Sequence, residues 1–186
     1  MRLNLGCGHN KLAGFVNCDI QADCAPDRIV DLEKFPWPFD DSSAEEVVLS
    51  HVLEHLGETT QVYLRVIREL YRVCRPDAIV RIVVPHPRHD DFLTDPTHVR
   101  AILPDQFLMF SRKTNREWRE AGYANTPLAE HLGVDFEVEE IQMMPDDLWL
   151  ERLRSGAIDS TKLAEMARHQ LNILKEARIT LRARKQ

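Results

Sequence analysis

The 186-residue sequence predicts an α/β fold built on a doubly wound, mostly parallel sheet. Three observations predict it. Short apolar runs at residues 3–5, 15–20, 29–30 and 47–49 read as buried strands. Between residues 59 and 74, Tyr63, Ile67, Leu70 and Cys74 recur at helical spacing. Residues 79–84 then form a run rich in β-branched side chains, closed by Pro85. Strand, connector, strand, helix, strand is the order of a doubly wound sheet.

Each element has a local reason. The first strand ends at Gly6-Cys7-Gly8, where glycine permits a tight turn. Arg75-Pro76 stops the helix. Residues 86–98 form a polar loop with three His and three Asp. Residues 104–110 read as a short amphipathic helix and 114–121 as a polar one. Residues 136–141 alternate and read as a strand. Residues 146–153 and 161–177 read as helices, the second with Leu163, Ala167, Leu174 and Ala177 on one stripe. Ile179, Leu181 and Ala183 alternate with Thr180, Arg182 and Arg184, so a final strand is expected, with a long terminal helix as the competing reading.

The length fits one domain, residues 1–186, with a core that needs no staples. A net charge of −6 is a poor match to a nucleic-acid-coating protein. Cys7, Cys18, Cys24 and Cys74 form no C-x-x-C pair, so they read as reduced thiols of a cytoplasmic protein. No apolar run reaches membrane-spanning length, and no membrane partner is expected. Met1-Arg2 leads straight into strand-like sequence, so no signal peptide is expected.

The glycine turn has acidic partners. Asp19 ends the second strand, where a carboxylate holds ribose hydroxyls, and Asp31-Leu32 follows the third, where a base is flanked. An ordinary strand-to-helix turn is the plain alternative. The dinucleotide pattern fails, because Lys11 stands where its third glycine belongs and Asp19 comes too early. A ligand with ribose and base but no pyrophosphate remains.

Leu3-Asn4-Leu5-Gly6-Cys7-Gly8 and Gly14-Phe15-Val16-Asn17-Cys18-Asp19-Ile20 resemble class I S-adenosylmethionine-dependent methyltransferases. So do Asp31-Leu32, Phe35-Pro36-Trp37-Pro38-Phe39-Asp40-Asp41, Leu49-Ser50-His51-Val52-Leu53-Glu54-His55 and Arg81-Ile82-Val83-Val84-Pro85-His86. The resemblance covers residues 1–86 and is similar to small bacterial proteins that also carry Asp95-Pro96-Thr97-His98. It implies a seven-stranded Rossmann-like sheet and S-adenosylmethionine as cofactor. Gly6, Cys7 and Gly8 would pass under the methionine part, with Asn4 and Leu5 also among the cofactor-binding residues. Asp19 would hold the ribose, Ile20 would touch the adenine, and Asp31 and Leu32 would line it. Ser50 and His51 would face the sulfonium and substrate. Residues 1–86 form the cofactor half; 87–135 and 145–177 are helical insertions that would cover substrate.

Departures from the resembling family are visible. Asn4 stands where Asp or Glu is frequent, Asn10 replaces a third glycine, and Asp77-Ala78 replaces Gly-Gly. The first crossover is too short for its usual helix, and no N-terminal capping helix is expected.

His51, at a strand's carboxyl end, is the first candidate for accepting a proton, His86 the second and His98 the third. His51-Val52-Leu53-Glu54-His55 also spells H-x-x-E-H, a zinc-hydrolase signature. It follows a buried strand without an evident third ligand, so His55 reads as a structural histidine and no metal is expected. The 86–98 loop reads as turn and cap residues, with substrate contact or a metal as alternatives. Trp37 reads as a packed anchor and the Arg182, Arg184, Lys185 tail as a solvated end. The expected reaction is methyl transfer to an oxygen or nitrogen of a small polar acceptor, with sugar-type acceptors among the candidates. A protein or nucleic-acid methyltransferase and an inactive cofactor-binding scaffold are the alternatives. The helix at 161–177 offers a face for a homodimer.

Overall fold

The structure, a computed structural model, describes residues 1–185. Seven strands form one sheet in the order β3-β2-β1-β4-β5-β7-β6. They are β1 (Arg2–Leu5), β2 (Val16–Asp19), β3 (Arg28–Ile29), β4 (Ala44–Ser50), β5 (Cys74–Pro85), β6 (Phe136–Pro145) and β7 (Leu174–Ala183). The first five are parallel to one another, and β7 runs antiparallel between β5 and β6. This is the expected mostly parallel Rossmann-like sheet.

The ten residues from β1 to β2 contain no helix, as the short spacing requires. Side chains replace it. Asn4 is only 3% exposed. Its amide donates to the Asn10 carbonyl at 3.0 Å and to Asn17 Oδ1 at 2.9 Å. Asn17 in turn accepts from the Leu12 N–H and donates to Asp27. The buried amides therefore satisfy backbone groups that a helix would have satisfied internally.

Helix α1 (Thr60–Val73) starts where Thr59 Oγ1 accepts from the Val62 N–H. It buries Tyr63, Val66, Ile67 and Leu70 against the sheet. The chain enters β5 directly at Cys74, which belongs to the strand and not to the helix stripe. Between Cys74 and Ile79 the strand bulges against β4, and Asp77 takes φ +61° there. Trp37 is a packed anchor as expected: Nε1 donates to the Leu32 carbonyl, and its backbone N–H donates to Glu69.

On β5 and β7 the buried set Val80, Ile82, Ile179 and Leu181 faces the core. The opposite face carries Glu46, Arg81, Arg182 and Glu139, which pair as Arg81–Glu46 and Arg182–Glu139. That polar face accounts for the alternation visible at residues 179–184. β6 contains an extra residue at Glu139, a bulge against β7.

Short helices follow β5: α2 (Asp90–Leu93), a 3₁₀ segment (Pro104–Phe110), α3 (Arg112–Glu120) and α4 (Leu128–Leu132). After β6 come α5 (Asp147–Arg154) and α6 (Ser160–His169). The helix expected over 161–177 ends at His169. Leu174 and Ala177 lie in β7, so their apparent stripe with Leu163 and Ala167 spans two elements, and the face expected for a homodimer is not one surface. The C-terminal tail is tied down. Arg184 pairs with Asp77 and Glu137, and Lys185 donates to the Arg72 carbonyl. No helix among the described residues is long and apolar enough to cross a membrane.

Candidate active site

β1, β2 and β4 end side by side, and the segments leaving them enclose a cleft of about 560 Å³. Gly6 and Gly8 both have positive φ, +67° and +49°. A Cβ on Gly6 would stand 2.4 Å from Val52 Cγ2, whereas one on Gly8 would meet nothing within 4 Å. Gly6 thus lets the loop pass under Val52, and Gly8 leaves cleft volume free. Asp19 Oδ2 accepts from the Gly8 N–H at 2.7 Å, and Oδ1 from the Gln21 N–H at 2.9 Å. A carboxylate from the second strand fastens the glycine turn of the first.

Gly6, Gly8, Asp19, Ile20, Asp31, Leu32 and His51 all border this cleft. Asn4 and Leu5 lie beneath it, buried in β1; Cys7 is buried, with its thiol raised above the ordinary range by burial and then by Asp19; Ser50 is exposed but does not line it. His51 leaves β4 with φ +55°, and its N–H donates to the Val83 carbonyl. Its half-exposed ring stands between two carboxylates, Nδ1 3.4 Å from Glu54 and Nε2 3.6 Å from Glu176. The neighbouring Glu54 carboxylate raises its pKa, burial opposes this, and the charge of Glu176 adds to the rise.

His86 lies elsewhere. It is buried in a second groove of about 700 Å³, with Leu103, Met143, Leu150, Leu163 and Leu174. Burial, then Arg88 and His89, lower its pKa, and its Nδ1 accepts from the Arg88 N–H. His89 contacts Asp91 and Asp146, and His98 Nδ1 lies 2.8 Å from the Phe92 carbonyl. In the same loop Asp95 accepts from the Thr97 N–H and hydroxyl, the expected turn chemistry.

Sequence reasoning missed Glu33, Val52, Leu56 and the cleft position of His55. Glu33 had a possible signal only in its neighbour Asp31; it accepts from the Gly57 N–H at 2.6 Å. Glu176 had none, since it reaches His51 from the last strand.

Residues 3–82 match the family model of the methyltransferase domain. The match spans a little under half of the 186 residues, and over the whole chain the fold is that of methyltransferases of known structure. No curated protein matches the sequence. Among solved structures, the chain is similar to a SAM-dependent methyltransferase from Archaeoglobus fulgidus, with TM-score 0.64, 17% identity, and 97% and 85% of the two chains covered. It is also similar to a SAM-dependent methyltransferase from Methanosarcina mazei, with TM-score 0.57, 14% identity, and 100% and 92% covered. The [4+2]-cyclase SpnF shares the fold at TM-score 0.56 and 18% identity, with 100% and 75% covered. Two departures from the resembling family have physical reasons in the structure. Asn4 must donate two hydrogen bonds, which Asp or Glu cannot do once ionised. Asp77 occupies a left-handed position, which Asp tolerates better than most residues.

Proposed function

We propose that the enzyme methylates an oxygen or nitrogen of a small polar acceptor, of sugar or amine type, with His51 receiving the acceptor's proton. The observation that carries this reading is His51 itself, held at φ +55° at the mouth of the glycine cleft between two carboxylates. That backbone conformation carries a strain cost, and it leaves His51 on the wall of the cleft.

The cleft suits the cofactor. The open space above Gly8 leaves room for the methionine part, the Asp19 carboxylate for two ribose hydroxyls, and Leu32 with Ile20 for the adenine faces. When bound, S-adenosylmethionine supplies an electrophilic methyl group on a sulfonium. The chain's own task is to align an acceptor, exclude water and take up a proton, and alignment contributes about 7–11 kcal/mol in favourable cases. The imidazole of His51 takes up the proton. Glu54 and Glu176 stabilise the imidazolium that results.

The acceptor's charge follows from the same groups. Asp19, Asp31 and Glu33 border the cleft, and Glu54 and Glu176 stand at its far side. This acidic surround disfavours a polyanion and favours a neutral polyol or an amine. Four free cysteines, three of them buried, support a reducing, cytoplasmic setting.

The test uses S-adenosylhomocysteine and labelled methyl transfer. At a hundredfold excess over Kd the ligand should stabilise the protein by about 2.7 kcal/mol. Asp19→Ala should lose that shift relative to its own unliganded midpoint. His51→Gln should keep the shift and lose turnover on a panel of polyols and amines. Full turnover in His51→Gln would remove the proposed base.

A further inference from the structure

We propose that Glu54, His55 and His98 bind one divalent transition-metal ion of the zinc class. One ligating atom from each lies within 4.8 Å of the other two. The three come from the 3₁₀ turn Leu53–His55 after β4 and from the end of the 86–98 loop. His51, the first histidine of H-x-x-E-H, is not in the group, because its left-handed backbone turns away from the regular helix that signature needs. His98 supplies the third ligand, which the sequence alone did not reveal.

Glu54 points independently to a ligand. Its side chain is fully buried, at 0% exposure, and neither carboxylate oxygen has a hydrogen-bond partner. His51 Nδ1 at 3.4 Å is near enough for charge attraction but does not align as a hydrogen bond. A buried charge without donors is costly, and in proteins such groups are paired or coordinate metals.

The two imidazoles are already oriented for the task. Thr97 O lies 3.3 Å from His55 Nδ1, and Phe92 O lies 2.8 Å from His98 Nδ1. A carbonyl can only accept, and the Thr97 hydroxyl, 3.0 Å from His55 Nδ1, already donates to Asp95 Oδ1 at 2.6 Å, so each Nδ1 carries the proton and each Nε2 keeps a free lone pair. Fixing a ligand's tautomer through its far nitrogen is the usual outer-sphere arrangement of metal-binding histidines. The rings themselves stand 4.7 Å apart. Asp95 Oδ2 lies 3.7 Å from His98 Nε2 and is the carboxylate nearest to that lone pair.

Two imidazoles and one carboxylate form a three-ligand set for zinc, with a further position left for water. Tetrahedral bonds of about 2.0–2.2 Å place ligand atoms about 3.4 Å apart. The present limit of 4.8 Å therefore closes by small side-chain rotations. The ion would tie the turn after β4 to the Asp95–His98 segment at the edge of the cleft, where His55 also lies.

The experiment uses the full chain without an affinity tag, stripped with chelator and then given Zn²⁺ or Co²⁺ alone. One equivalent of metal should survive gel filtration. Co²⁺ should give the visible absorption of a low-symmetry four-coordinate site, and the melting midpoint should rise with Zn²⁺. His98→Ala and Glu54→Gln should each lose the equivalent and the Co²⁺ spectrum, with far-UV circular dichroism unchanged. His89→Ala, in the same loop but outside the cluster, should keep both. A wild-type chain that retains no metal overturns the proposal whatever the variants do. So does a His98→Ala chain that still holds one equivalent with an unchanged spectrum. Neither readout depends on methyl transfer, so the outcome is separable from that of the proposed reaction.

Discussion

Replacing Gly6 by alanine should damage the protein far more than the same change at Gly8, although the two glycines share one turn. Both positions have positive φ, so a Cβ costs about 1–2 kcal/mol at each. Gly6 carries a second cost. Its Cβ would sit 2.4 Å from Val52 Cγ2 and 3.0 Å from Cγ1. Val52 is buried and stiff at χ1, so it cannot swing aside. Forcing a methyl into such a contact costs a further ~1–3 kcal/mol. The sum is about 2–5 kcal/mol, or about 4–20 °C in melting midpoint for a chain of this size. Gly8→Ala meets nothing within 4 Å and should lose only about 2–8 °C. Thermal unfolding followed by circular dichroism compares the two. In a Val52→Ala background the Gly6→Ala increment should fall to about 1–2 kcal/mol, the conformational part alone. Equal losses at the two glycines, or an increment indifferent to Val52, would refute this reasoning.

Asn4→Asp should destabilise by about 1–3 kcal/mol in urea titrations, because it sets a carboxylate against the Asn10 carbonyl and Asn17 Oδ1; a neutral result would mean that the buried amide network is dispensable. Asp77→Gly should raise stability by about 1 kcal/mol by relieving φ +61°, since the exposed contact with Arg184 contributes little; a lower melting midpoint would contradict this. Glu69 predicts a pH dependence. Burial pushes its pKa up, but hydrogen bonds from Arg72 and the Trp37 N–H, with the Arg72 charge, lower it overall. A depressed folded pKa means that the unfolded state binds more protons, so this stabilisation is present above the ordinary glutamate range and lost as pH falls through the folded value. The gap in melting midpoint between wild type and Glu69→Gln should therefore be widest near neutrality and shrink on acidification; a constant gap would remove Glu69 as its source.

The first 86 residues were legible because their signals are local. Glycine turns, a β-branched run at 79–84 and helical spacing from Tyr63 to Leu70 each act over a few residues, and the resulting cleft holds Gly6, Asp19, Asp31 and His51 together. The region after Pro85 was harder. Leu163, Ala167, Leu174 and Ala177 fit one helical stripe by spacing, yet a turn between His169 and Leu174 sends the last two into a strand. Asn172 takes φ +57° in that turn, a single-residue event that apolar periodicity does not register. The neighbours of His51 and Glu54 were least legible. Glu176 and His98 arrive from distant segments, so their approach depends on tertiary packing that no short window contains.

The two borders of the sheet are both poor templates for a foreign strand. An unpaired strand border is a template for intermolecular pairing. At one border, β3 has only two residues and offers almost no ladder. At the other, ten-residue β6 is long enough to recruit a foreign strand. It is interrupted by the extra residue at Glu139, and the charged groups along it are already engaged, Glu139 with Arg182 and Glu137 with Arg184, with Glu140 beside them. A second β6 approaching there would meet fixed ion pairs and a broken register. Flattening the bulge while removing these ion pairs should make the β6 border a better template for a foreign strand.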